Sequence, residues 1–259
     1  MMTHWCILPS VLGFFLASVL DGLGRWEAKL RVWGRRLFIV GWISQTAYLF
    51  FWYREVGAPF VVTQGDSIFL ISWVIATLYL ILGRRERWQT LGTLFSAAVL
   101  VVMLLGIFYR GANYAAIYLW PHAWVVPVHL AAAMTAVAVF AVAMITGVLL
   151  VISDRQLKNH KPMRFRLPSL ANLESVLSAL VSAGWVLLTV VLATGVVMMA
   201  SHGSIDLGGH WWLAVTAWLI YAVVLHSRLW QGARGRKGML LSLVGFLAIL
   251  LTFLEAHSK

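Results

Sequence analysis

Charge is scarce in this sequence: 11% of its 259 residues are Asp, Glu, Lys or Arg, and only nine are acidic. Soluble domains carry about a quarter charged residues, so this composition cannot supply a water-facing surface and a soluble fold is excluded. Cysteine is scarcer still. The lone Cys6 excludes an intramolecular disulfide and a CxxC redox pair, and reads as a small apolar residue of the first hydrophobic run. No HExxH, Walker loop or Gly-x-Ser-x-Gly is present, which leaves hydrolase and nucleotide-driven chemistry without a local signature. The first basic residue, Arg25, follows the first apolar run, so that run lacks the basic flank of a cleaved signal peptide and reads as a retained span.

What the chain has instead is apolar sequence. Hydrophobic residues make up 61%, mean hydropathy is +0.86, and apolar stretches recur from end to end. A helix of roughly 20 residues crosses a hydrocarbon core. The expected fold is therefore all-α: a polytopic membrane helix bundle of about eight spans, forming a single integral membrane domain over residues 1–259 with no room for a separate soluble one. The spans are expected near Trp5–Leu20, Leu37–Phe51, Ser67–Leu82, Leu91–Phe108, Val125–Ile152, Leu173–Met199, Trp212–His226 and Met239–Leu254. Asp66-Ser67 and Pro168-Ser169 offer N-cap chemistry for the third and sixth.

The links alternate in charge. Seventeen of the twenty basic residues fall after the first, third, fifth and seventh spans, leaving Arg54, Arg110 and Lys259 on the other side. The positive-inside rule then puts both termini on the non-cytoplasmic face. The net charge of +11 is thus topological: it lies in short links beside anionic headgroups, without the single basic, aromatic-interleaved face of a nucleic-acid binder. Trp5, Trp52, Trp88, Trp120, Trp124, Trp211, Trp212 and Trp230 fall near the expected interfaces, where aromatic belts sit. Small residues four apart, as at Ala132/Ala136 and Ser178/Ser182, indicate close helix packing.

The topology sorts eight histidines. His4, His122, His129, His202, His210 and His257 lie towards the outer face, and His160 and His226 towards the cytoplasm. The expected span interiors lack the charged residues of an ion pathway, which argues against an ion-coupled transporter. A single histidine at a span end ordinarily makes interfacial hydrogen bonds, but imidazoles gathered at one face point to haem or metal ligation. His129 has Ala132, Ala133 and Ala136 on or near its helical face, an expected shelf for a flat macrocycle. His226, with Ala222 four residues before it, has a weaker version.

Two segments carry a resemblance. VHLAAAMTAVAVFAVAMITGVLLVISDRQLK at Val128–Lys158 and AWLIYAVVLHSRLWQGARGRKG at Ala217–Gly238 resemble the histidine-led span and the tryptophan-led span of the cytochrome c assembly protein family, with Leu167–Gly195 similar to the span between them. The likeness runs from about Ser44 onwards. It implies haem binding or haem delivery at the outer face during c-type cytochrome assembly, with haem b as cofactor and no catalysis by the chain itself. It also implies a bacterial inner membrane location, another membrane subunit and apocytochrome c as partners, beside haem and membrane lipids, and no nucleic acid. By the same resemblance His129 and His257 correspond to the outer haem ligands and His226 to a haem ligand within the membrane. The outer arginines Arg54 and Arg110 are candidates to meet haem propionates. The family's WGxxWxWD haem-handling motif is replaced by SHGSIDLGGHWW at Ser201–Trp212, and Gln45 stands where many relatives carry histidine, which places the chain nearer the HemX/YpjD branch. A b-type cytochrome subunit in electron transfer and a haemless accessory or regulatory protein are the alternative functions.

The charge alternation is directly testable. Reporter fusions after Lys161 and Arg236 are expected to report cytoplasm and fusions near Gly209 and at the C-terminus to report outside; an outside signal at Lys161 overturns the topology.

Overall fold

The computed structural model describes residues 7–24, 27–56, 64–89, 91–109, 124–158, 168–201, 209–230 and 244–252. They form helices α1 (Ile7–Leu23), α2 (Ala28–Val56), α3 (Gln64–Leu82), the short α4 (Glu86–Gln89), α5 (Gly92–Phe108), α6 (Val125–Lys158), α7 (Leu170–Ser201) and α8 (Gly209–Trp230), with a last helical stretch α9 at 244–252. There is no strand among the described residues. By length and apolarity α3, α6 and α7 can each cross a membrane, and α1, α5 and most of α8 are shorter apolar helices. The chain is an all-α membrane bundle. Large apolar side chains on its outer surface, among them Leu12, Phe15, Val40, Val101, Val186 and Leu219, are exposed as lipid-facing residues must be.

Helix starts and ends differ from the hydropathy spans for identifiable reasons. α2 begins at Ala28, nine residues before the expected span, because Lys29, Arg31, Arg35 and Arg36 are good helix formers and the helix continues beyond its apolar part. Arg36 lies over the Trp33 ring at 5.0 Å and Arg31 donates from Nη2 to the Gly24 carbonyl at 3.1 Å. α6 likewise runs on to Lys158, which pairs with Asp154 one turn back at 2.7 Å. Ser169 does cap α7, its Oγ accepting from the Asn172 N–H at 3.4 Å. Asp66 lies in the first turn of α3, which starts two residues earlier, at Gln64. There its carboxylate meets the positive end of the helix dipole.

Two compact units form, one from α1 to α5 and one from α6 to α9. In the first, α1 crosses α2 with backbones almost touching: a Cβ on Gly13 would lie 2.9 Å from Gly41 Cα. Phe14, Phe38, Tyr79 and Phe95, one from each of α1, α2, α3 and α5, make a chain of ring contacts at 4.8–5.0 Å through the core. Asp21, near the end of α1, is buried with its carboxyl against Gly34 of α2 and Gly92 of α5; a Cβ on either glycine would collide with it. Arg31 is its charged neighbour.

A reciprocal hydrogen-bond ring joins α2 to α3. Trp42 Nε1 donates to Thr77 Oγ1 at 2.9 Å, and the Thr77 hydroxyl donates to the Trp73 carbonyl at 2.8 Å. Trp73 Nε1 donates to Thr46 Oγ1 at 2.9 Å, and Thr46 donates to the Trp42 carbonyl at 2.8 Å. The two indoles stack 6.2 Å apart. Every donor in the ring is satisfied away from water.

The second unit contains half of the same device. In it, α6 packs along α7 and α7 against α8. Trp218 Nε1 donates to Thr189 Oγ1 at 2.9 Å, Thr189 donates to the Trp185 carbonyl at 2.9 Å, and the indoles stack at 5.4 Å. Ala222 occupies the position, four residues after Trp218, that would complete the ring. Trp185 Nε1 is accordingly buried with no hydrogen-bond partner among the described residues. Beyond this pair, Phe140 of α6 stacks on Tyr221 of α8 at 3.9 Å, with Gly184 and Gly245 against the outer ring faces.

Ala222→Thr should supply the missing acceptor. Interhelical bonds of this kind average about 0.6 kcal/mol in membranes, so a gain of that order is expected in denaturant titration of the detergent-solubilised protein, with Ala222→Val, similar in shape but lacking the hydroxyl, giving none of it.

Candidate functional site

The start of α6 is shaped for a loaded first turn. Pro127 falls where the helix has backbone N–H groups with no intrahelical partner, so the missing N–H costs nothing, and two residues on comes His129. His129 is half-buried, and its Nδ1 lies 2.9 Å from Thr194 Oγ1 of α7. The next residue of α7, Gly195, lies between His129 and Trp211 of α8: a Cβ placed there would be 3.7 Å from His129 Cε1 and 3.6 Å from Trp211 Cζ3. Glycine therefore leaves a slot of about a methyl group's width beside the imidazole and the indole. The second turn of α6, the last third of α7 and the first turn of α8 thus meet at one end of the second unit. Trp124, Val128 and Trp212, next to these positions in sequence, are all exposed.

The alanines expected to form an open shelf do something else. Ala132 and Ala136 are buried and Ala133 half-buried, so protein atoms cover most of that face. The neighbours of His129 at this end are instead Thr194 and Gly195 of α7, with Trp211 of α8 next to Gly195.

His226 lies fifteen residues beyond Trp211 on α8, about 22 Å along the axis at helical rise, and is exposed. His129 and His226 therefore sit towards opposite ends of the second unit, too far apart to ligate one iron. Arg54 belongs to the first unit, exposed in the last turn of α2 with its guanidinium 5.8 Å from the Phe50 ring centre. Arg110 and His257 lie outside the described residues. Gln45 is fully buried and donates from Nε2 to Ser72 Oγ at 2.7 Å, while its Oε1 has no partner. Thr194, Gly195 and Trp211 are the site members that sequence reasoning missed; the adjacent Thr-Gly pair near the end of a long apolar span was the available signal.

Among the described residues no group of three or more His, Cys, Asp or Glu side chains could hold a bare metal ion. A single half-buried imidazole could still ligate iron carried in a macrocycle, because the macrocycle supplies the other donors. The residues present fit such a group.

An α-helical integral membrane protein with an imidazole held at one end of its bundle is the class that fold and site define. A family model for the cytochrome c assembly protein matches residues 61–258, and the chain belongs to that family. It is 31% identical over 111 residues to the cytochrome c biogenesis protein CcsA of Prochlorococcus marinus, a match covering 40% of this chain and 33% of that protein. It is 29% identical over 133 residues to the inner membrane protein YpjD of Escherichia coli, covering 51% of this chain and 50% of that one. The chain thus spans about a third to a half of the length of these curated relatives. No solved structure matches it.

Proposed function

We propose that this chain is a haem-binding, haem-handling protein of c-type cytochrome assembly, in the bacterial inner membrane, with His129 as an axial ligand at the outer face. The observation that carries this reading is the His129 imidazole between Thr194, Gly195 and Trp211. Family membership supports it, as does the cytochrome c biogenesis stated in the name of the CcsA relative, and the name of the YpjD relative supports the inner membrane location. When bound, haem b supplies a redox-active iron; the chain's own residues bind and orient it without a covalent bond. His129 would hold the iron, and Gly195 and Trp211 would border its approach. His257 is the proposed second outer ligand, because both termini are proposed to be outside and the last span returns to the level at which α6 begins. Arg110 and Arg54, outer by the same topology, would meet propionates. His226 would serve a separate position within the membrane. Apocytochrome c and another membrane subunit are the proposed partners.

Purified protein given stoichiometric haem should show a low-spin b-type spectrum. Loss of one outer-shell partner of a metal ligand costs roughly 10- to 100-fold in affinity, so His129→Ala, which removes the ligand itself, should cost at least about tenfold, and His257→Ala should change the reduced bands. Unchanged haem content and band positions in both variants would overturn the assignment and move attention to His226, and no Soret shift at all in the unaltered protein would favour a haemless accessory role.

A further inference from the structure

The hydrogen bond between His129 and Thr194 has a direction that the rest of the molecule makes readable. A hydroxyl has one proton and two acceptor lone pairs. The Thr194 hydroxyl lies 2.7 Å from the Val190 carbonyl one turn back in α7 and 3.1 Å from that of Val191. Two oxygens at 2.7 Å need a proton between them, so the hydroxyl proton is committed to its own helix and only the oxygen's lone pairs face His129. The bond at 2.9 Å must therefore run from Nδ1–H of His129 to Thr194 Oγ1.

Three other pairs calibrate this assignment. Trp42 on Thr77, Trp73 on Thr46 and Trp218 on Thr189 each place a ring nitrogen 2.9 Å from a threonine Oγ1 whose proton is given to the carbonyl four residues earlier. Indole nitrogen can only donate, so the polarity of those pairs is unambiguous. The histidine pair has the same distance, the same back-bonded threonine and the same helix-to-helix placement.

We infer that Thr194 is a positioning residue that fixes His129 as the Nδ1–H tautomer, with the lone pair on Nε2, the form in which a neutral imidazole ligates iron through Nε2. This rests on the haem-ligand reading of His129 given above, but the tautomer itself is a property of the ligand-free protein. In metal sites the partner of the second ring nitrogen selects the tautomer, orients the ring and raises its basicity. Here that partner is a neutral threonine, which orients the ring while adding far less electron density than a carboxylate would. Ligation of a neutral macrocyclic iron through a mildly donating imidazole suits a haem that is held and then passed on.

The test uses the full chain labelled with 15N-histidine in lipid nanodiscs without haem, His129 being assigned by the signal lost in His129→Gln. The protein should show His129 with a protonated Nδ1 and an unprotonated Nε2. Thr194→Val, which keeps the shape and removes the acceptor, should populate the Nε2–H tautomer and weaken haem binding about 10- to 100-fold, whereas Thr194→Ser should restore both. An Nε2–H tautomer in the unaltered protein, or a Thr194→Val protein with unchanged tautomer and unchanged haem affinity, overturns the role of Thr194 even if His129→Ala abolishes binding. If the tautomer and its threonine dependence are as expected but His129→Ala keeps haem, the ligand reading of His129 fails, and the positioning role for ligation falls with it.

Discussion

A polar hydrogen in hydrocarbon must find its acceptor inside the protein, and in this chain the acceptor is repeatedly a threonine oxygen on the neighbouring helix. The back bond to the carbonyl four residues earlier settles the hydroxyl's own proton and leaves its lone pairs facing outward from the helix. Such an oxygen is a fixed seat for a ring N–H. Four of these seats register one helix on the next: two between α2 and α3, one between α7 and α8, and one between α6 and α7. The fourth receives an imidazole instead of an indole. The candidate haem ligand is held by the same joint that assembles the bundle.

That economy explains where the site lies. Long apolar helices such as α6 and α7 are covered by each other and by lipid over most of their length, and polar chemistry can enter only where they end. His129 sits in the second turn of α6, close enough to its start to be reached from outside the bundle and deep enough to be gripped by α7. The glycine following Thr194 leaves room beside the imidazole, where a Cβ would come into ordinary contact with both His129 and Trp211.

Much of this was legible in the sequence. Composition and span length required an all-helical membrane bundle, and the start of α6 and the capping of α7 by Ser169 follow local chemistry. Hydropathy under-read α2, because it registers the part of a helix that lipid will accept and not the basic turns that continue it into the headgroups. The alanine shelf beside His129 was misread for a related reason. A row of small residues marks a face where something approaches closely, and here protein covers it. The tryptophans divided along a line that composition could not draw. Those expected at interfaces include Trp124 and Trp212, which are exposed, but also Trp88, which is wholly buried. Of the three that bond helix to helix, Trp42 and Trp73 are followed by a threonine four residues later, at 42/46 and 73/77, whereas Trp218 is followed by Ala222 and borrows the threonine of the 185/189 pair on the neighbouring helix. Tertiary pairing, which decides the acceptor for each indole, has no one-dimensional signature.

The seating of Asp21 bears on how the chain is made. Its carboxyl rests against Gly34 and Gly92, two glycines separated by more than fifty residues and by two intervening helices, α3 and α4. While the chain emerges from the ribosome, α1 can meet α2 as soon as Gly41 is available to Gly13, but the second wall around its acidic end is synthesised only with α5. Until then that wall is missing, and Arg31 is a charged neighbour of the carboxyl in the folded unit. α1 therefore settles fully within its unit only once α5 has been made, and a nascent chain halted before Gly92 would leave its acidic end undocked.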